Sequence, residues 1–223
     1  MMKGAGRGAY TADRAAALSG VPRSTVHYWA RKDILVPSVS ASKVKLWSYT
    51  DLMGLRTISW LRHRKVSTSG WDVPPTTMPA VRRALATLAD LDVDLWTEDG
   101  GPSVRVDLHG EIFILTDWGP EKLDGHRPLD PDMLNLIEPF QIRAARGPDL
   151  QRPRPNLRIV PGKLSGSPHI AHSRIETLAV AALADRGYDS EKIVRLYPQV
   201  MPIALVEAVD LERQLTANLF RAA

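Results

Sequence analysis

Between residues 23 and 32 the chain carries Arg23, Ser24, Thr25, His27, Tyr28, Arg31 and Lys32. Guanidinium groups and short hydroxyls so spaced suit the edges of DNA bases. An Arg fork donates to both acceptors of guanine, and Ser or Thr reaches either kind of base edge in a major groove. In a helix, Val26 and Trp29 share one face while Arg23, Ser24, His27, Tyr28 and Arg31 share the opposite one. Lys43 and Lys45 follow on a stretch that reads as a hairpin, where they would grip phosphates and set position rather than sequence. Charge points to the same partner. Residues 1–65 hold twelve Lys/Arg against three Asp/Glu, a net of +9. Residues 66–153 hold eight against fifteen, a net of −7, and residues 154–223 hold nine against seven, a net of +2. Concentrated positive charge draws phosphate and speeds encounter with DNA.

Three elements must present these groups. Thr11 is placed to cap a helix over residues 12–18. Ser19-Gly20-Val21 reads as a tight turn, and Pro22 suits the start of a second helix, where a missing N–H costs nothing. Val21, Val26 and Trp29 then pack against Ala15, Ala16 and Leu18. Residues 35–39 and 44–47 are predicted to pair through Ser40-Ala41-Ser42. Ser48 with Asp51 three residues on resembles a capping box for a third helix. That helix would turn Leu52, Leu55, Ile58, Trp60 and Leu61 inward, leaving Arg56, Arg62 and Arg64 to solvent or phosphate. The pattern is a winged helix-turn-helix over roughly residues 8–65, with double-stranded operator DNA as its expected partner. Two-fold proteins read half-sites about one helical turn apart, so a homodimer is expected.

The remainder divides by composition. Residues 66–116 read as a small α+β unit: a helix over 78–91, strands at 93–96, 104–108 and 112–115, and turns at Asp99-Gly100-Gly101-Pro102 and His109-Gly110. Residues 117–155 read as a proline-rich linker with one short helix near 131–136; residues 117–158 hold seven of the seventeen prolines. Residues 156–223 open on a strand candidate at 157–160 and continue as three helices. There Leu178, Ala182 and Leu183 form one buried face, and Ser190 caps the helix holding Ile193, Val194 and Leu196. In the last helix Leu205, Val206, Val209, Leu211 and Leu215 supply either a dimer face or internal core. The predicted class is α+β, mostly helical: winged helix-turn-helix, a small helix-plus-β-meander middle unit, and a C-terminal three-helix domain.

Several function classes are disfavoured. The chain has no cysteine, which removes disulfides, thiolate metal sites and cysteine nucleophiles. No run approaches the ~18–20 apolar residues of a membrane helix, and the first eight residues lack a signal-peptide core, so a cytoplasmic protein without membrane contact is expected. His169 and His172 lie close together with no third ligand nearby. Residues 161–167 lack the spacing of a phosphate loop. Glu98 and Asp99 read as solvated, and Ser165 and Ser173 have no evident base. The expectation is a protein that is not an enzyme and needs neither cofactor nor metal.

The run Leu18-Ser19-Gly20-Val21-Pro22-Arg23-Ser24-Thr25-Val26-His27-Tyr28-Trp29, followed by Ile34-Leu35-Val36-Pro37 and Ser48-Tyr49-Thr50-Asp51-Leu52, resembles the MerR-type winged helix. Asp33 stands where that family usually has Gly, and Trp47 where its wing usually has Arg. The long dimerising helix of MerR sensors is replaced by Ser, Gly and Pro. In the tail, Leu157-Arg158-Ile159-Val160-Pro161, Gly166-Ser167-Pro168-His169-Ile170, Ser173-Arg174-Ile175, Gly187-Tyr188 and Tyr197-Pro198 resemble domain of unknown function 433. His172 stands where that pattern typically shows Gly.

Together the two resemblances imply a VapB-type antitoxin. Such a protein would repress its own operon and neutralise a PIN-domain ribonuclease toxin. Arg143, Arg146, Arg152 and Arg154 are then candidates to enter the toxin's carboxylate cluster, and the tail would hold the homodimer. The alternative is a stand-alone MerR-like transcriptional regulator with an unknown effector in residues 78–116. A protein-interaction adaptor would leave the basic head unused.

Overall fold

The Thr11 hydroxyl accepts the Arg14 N–H at 3.3 Å and starts α1 (Ala12–Ser19). Gly20, at φ +75°, ends it. The computed structural model describes residues 8–116, 119–122, 132–142 and 145–221. α2 (Arg23–Arg31) follows Pro22 directly, and α3 (Tyr49–Arg62) opens on a complete capping box. There Ser48 Oγ accepts the Asp51 N–H at 3.1 Å, and Asp51 Oδ2 accepts the Ser48 N–H at 2.8 Å. The head therefore has the expected three helices.

Beyond it come the hairpin strands β1 (Lys65–Val66) and β2 (Asp72–Val73), then α4 (Met78–Ala89). α4 buries Ala80, Val81, Ala84 and Leu88 and lies against α3. A side-chain methyl at Gly54 would stand 3.1 Å from Leu85 and 3.4 Å from Leu35, so both leucines pack on bare backbone.

The expected strand at 93–96 is a 3-10 turn, Val93–Leu95. Asp92 Oδ1 accepts the Asp94 N–H at 3.0 Å, closing a local turn that competes with extended backbone. The other two strands form: β3 (Ser103–Asp107) and β4 (Ile112–Thr116) pair antiparallel. They join through a turn in which Asp107 Oδ1 accepts the N–H groups of His109 and Glu111. β5 (Gly119–Lys122) and β6 (Met133–Asn135) complete a sheet of order β5-β4-β3-β6. Residues 133–135 are thus strand, not the short helix expected near 131–136. Val104 and Val106 of β3 are fully buried, and an extended partner satisfies that strand's second edge.

The proline-rich stretch also supplies the hairpin β7 (Phe140–Ile142) and β8 (Ala145–Gly147). Strands β9 (Leu157–Arg158) and β10 (His169–Ile170) pair next, followed by α5 (Thr177–Asp185), α6 (Ser190–Leu196) and α7 (Pro202–Arg221). The cap of α6 is Asp189, one residue before the expected Ser190; its carboxylate accepts the Lys192 N–H at 2.8 Å. α7 packs on α5, α6, α1 and β8. One apolar cluster runs without a break from Tyr10 and Leu18 through Trp96 and Val106 to Leu211 and Leu215. Head, middle and tail therefore share a core. Among the described residues no helix is long and apolar enough to cross a membrane.

Candidate nucleic-acid interface

α2 is strongly two-sided. Val26, Trp29 and Ala30 are buried, while Arg23, Ser24, Tyr28, Arg31 and neighbouring Lys32 are exposed. Thr25 and His27 are half-buried along the margin. The outward face is the one the sequence placed there, because apolar residues at i and i+3 dictate which way the helix rolls. Its leading arginine is not idle: Arg23 Nε lies 2.5 Å from Asp13 Oδ1 in the first turn of α1. Both groups are about half exposed, so this ion pair is weakly held and open to exchange. Burial, then the neighbouring Arg23 charge, holds the His27 pKa below the usual imidazole value; Lys45 and Arg31 act in the same direction. The wing lysine therefore projects its charge towards the recognition helix.

The wing is shorter than expected. Ser40 and Leu46 exchange backbone hydrogen bonds of 3.1 and 2.8 Å, but residues 35–38 form no ladder. Pro37 has no N–H to give, and the Ser38 N–H and hydroxyl both donate to Asp51 Oδ2 at 2.9 Å. Trp47 pairs instead with Tyr10 through two 2.9 Å bonds. Its side chain is fully buried, so the position that resembles a phosphate-contacting wing Arg serves packing here. Lys43 is exposed at the loop and Lys45 is half-buried. Asp33, just beyond α2, takes φ +51°, and His172 in the tail takes φ +57°. Both stand where the resembling families place Gly, and both keep the left-handed backbone that Gly would adopt freely.

Arg56 corrects the reading that left it to solvent or phosphate. It is fully buried. Its guanidinium donates to the carbonyls of Leu18 (2.9 Å) and Ser19 (3.3 Å) in the helix-turn-helix turn. It also donates to those of Leu136 (2.9 Å), Ile137 (3.2 Å), Glu138 (2.7 Å) and Pro148 (2.5 Å). The Phe140 ring lies 5.8 Å from its centre. Burial pulls its pKa down to about 9, which leaves it charged at neutral pH. One planar fork thus bonds carbonyls at the end of α1 and at Leu136, Ile137, Glu138 and Pro148 together. A methyl at Gly20 would come within 2.6 Å of the Gly147 nitrogen, so the turn and the β7–β8 hairpin meet backbone to backbone.

The candidate toxin-facing arginines that are described contact different parts of the chain, although Gln214 bonds both the Arg146 carbonyl and the Arg154 side chain. Arg143 lies outside the described residues. Arg146 is exposed, with its backbone held by Asn218 and Gln214. Arg152 donates to the Asp99 carbonyl at 2.5 Å, and Arg154 pairs with Asp210 at 2.8 Å. Glu98, read as solvated, meets four nitrogen atoms from another chain segment instead. Lys163 and buried His169 approach one oxygen, while the His172 ring (3.1 Å) and backbone N–H (2.7 Å) approach the other. The proximity of His169 and His172 was legible; the carboxylate they share, some 70 residues earlier, was not. No group of three potential ligands is set to hold a metal ion among the described residues. Of the apolar residues assigned to the last helix, Leu205, Leu211 and Leu215 are buried within the chain, whereas Val206 is 54% exposed.

Residues 10–70 match the family model of the MerR HTH family regulatory protein, and residues 158–210 match that of a protein of unknown function, DUF433. No curated protein and no solved structure matches the chain. The head is thus a MerR-like helix-turn-helix domain joined to a DUF433 tail.

Proposed function

We propose that this protein binds operator DNA through α2 and represses transcription, acting as a homodimer held by its tail. The observation that carries the reading is the exposed row Arg23, Ser24, Tyr28 and Arg31 on a helix whose other face is locked into the core. Selection from a random duplex library tests the proposal. Enrichment of one palindromic motif is expected, and recovery of unrelated sequences with salt-dependent affinity alone would count against base reading.

A finer reading makes the repressor an antitoxin of the VapB class that neutralises a PIN-domain ribonuclease. It is supported by the DUF433 tail and by exposed Arg146 on the β7–β8 hairpin. Co-expression with a PIN-domain ribonuclease from the same operon tests this arm, and absence of such a gene would count against it. Copurification with loss of ribonuclease activity is expected, and an active, unbound nuclease would leave a stand-alone regulator.

A further inference from the structure

α7 carries two stripes. One, with Ala204, Leu205, Ala208, Leu211, Leu215 and Asn218, is buried against the rest of the chain. The other, Val206, Val209, Arg213, Thr216 and Phe220, advances by alternating steps of three and four residues, the spacing of a coiled-coil seam. It faces outward: Val206 is 54% exposed and Phe220 is 78% exposed. Two hollows flank it. One is lined by Leu178, Asp185, Arg213 and Phe220, the other by Tyr188, Val206 and Arg213. Val209 and Arg213 belong to both, so they form one continuous groove along the helix.

We infer that this groove receives α7 of a second copy of the same chain, in antiparallel, two-fold register centred near Arg213. In that register Val206 of each copy meets Phe220 of the other, and Val209 meets Thr216. The charges choose this occupant. Arg213 and Asp185 line the same hollow, and both are exposed. Among the described residues neither has an ion-pair or side-chain hydrogen-bond partner. A two-fold contact brings residue i to j and j to i, so each Arg213 finds the Asp185 of the other copy. The two facing arginines are thereby neutralised. The contact deepens the homodimer of the proposed function and rests on it only for its purpose, since the pairing needs no DNA.

Light scattering on the full chain without DNA, at micromolar concentration, tests the pairing. The wild type is expected as a dimer. Arg213→Asp and Asp185→Arg should each weaken dimerisation tenfold or more, and the double exchange should restore it. Both positions are exposed, so an unchanged circular dichroism spectrum and a cooperative melt will show that the single variants fold. A monomeric wild type, or single variants that stay dimeric, overturns the proposal. Restored binding to a co-expressed nuclease in place of a restored dimer overturns it too and gives the groove to a different protein. α2 is untouched in every variant, so failure here leaves the DNA-binding reading to its own test.

Discussion

Arg14 of the first helix and Glu212 of the last meet as a bidentate pair, Nη1 to Oε2 at 2.6 Å and Nη2 to Oε1 at 2.7 Å. The carboxylate is almost wholly buried and also accepts the Thr177 hydroxyl. Removing the arginine strands a charge away from water, a loss of about 3 kcal/mol. Arg14→Ala should lower the unfolding free energy by that amount in urea titrations, as one cooperative transition that includes the head. A loss confined to the tail, or under ~1 kcal/mol, would contradict a shared core.

Arg56 makes a second, stricter prediction. Arg56→Met removes the donors from several buried carbonyls at once, each costing about 1–3 kcal/mol when left unpaired. The variant should fail to fold or should lose at least ~4 kcal/mol. Arg56→Lys should not rescue it, because three donors on one nitrogen cannot span two chain segments. Thermal melting close to wild type in either variant would refute this role.

Asp33 should respond in the opposite direction. Its φ of +51° costs an L-residue about 1–2 kcal/mol, partly relieved for Asp. Gly removes that strain but gives the unfolded chain about 0.5–1 kcal/mol more freedom. Asp33→Gly is therefore expected to be neutral or to raise the melting temperature slightly. Asp33→Val, β-branched at a left-handed position, should lower it by several degrees. The reverse ranking would contradict the backbone described here.

The helix-turn-helix was readable because its signals are local. Thr11, Pro22 and the Ser48/Asp51 pair mark helix starts, and Val26 with Trp29 fixes which face of α2 looks out. What escaped was long-range. Arg56 stands four residues from Leu52 and from Trp60, on the inward face of α3, but its charge pointed to solvent because the distant carbonyls that pair it belong to other segments. Glu98 looked like an ordinary turn acid because Lys163, His169 and His172 reach it from another segment. Strand β6 was hidden because its reason for being extended is the open edge of β3, about 30 residues earlier.

His27 gives the interface a pH signature. Burial and the nearby Arg23 hold its pKa below the ordinary value of 6.5, so the free protein carries it neutral at pH 7. In the absence of DNA the unfolded chain binds that proton more readily, and His27 makes the fold slightly less stable as pH falls through 6.5. Phosphates beside the ring reverse the sign, since a negative charge favours imidazolium. Affinity for DNA should therefore rise as pH is lowered through 6.5 at fixed ionic strength, and His27→Gln should flatten that rise. Equal pH slopes in both proteins would place His27 away from phosphate.

The central claim is that the exposed face of α2 reads DNA, and the dissociation constant of the Arg23→Ala and Arg31→Ala variants on a selected operator tests it most directly. Each variant is expected to weaken binding by about 1–3 kcal/mol if its arginine contacts a base, or to flatten the salt slope by about one if it contacts a phosphate. Wild-type dissociation constants and salt slopes in both variants would contradict the account.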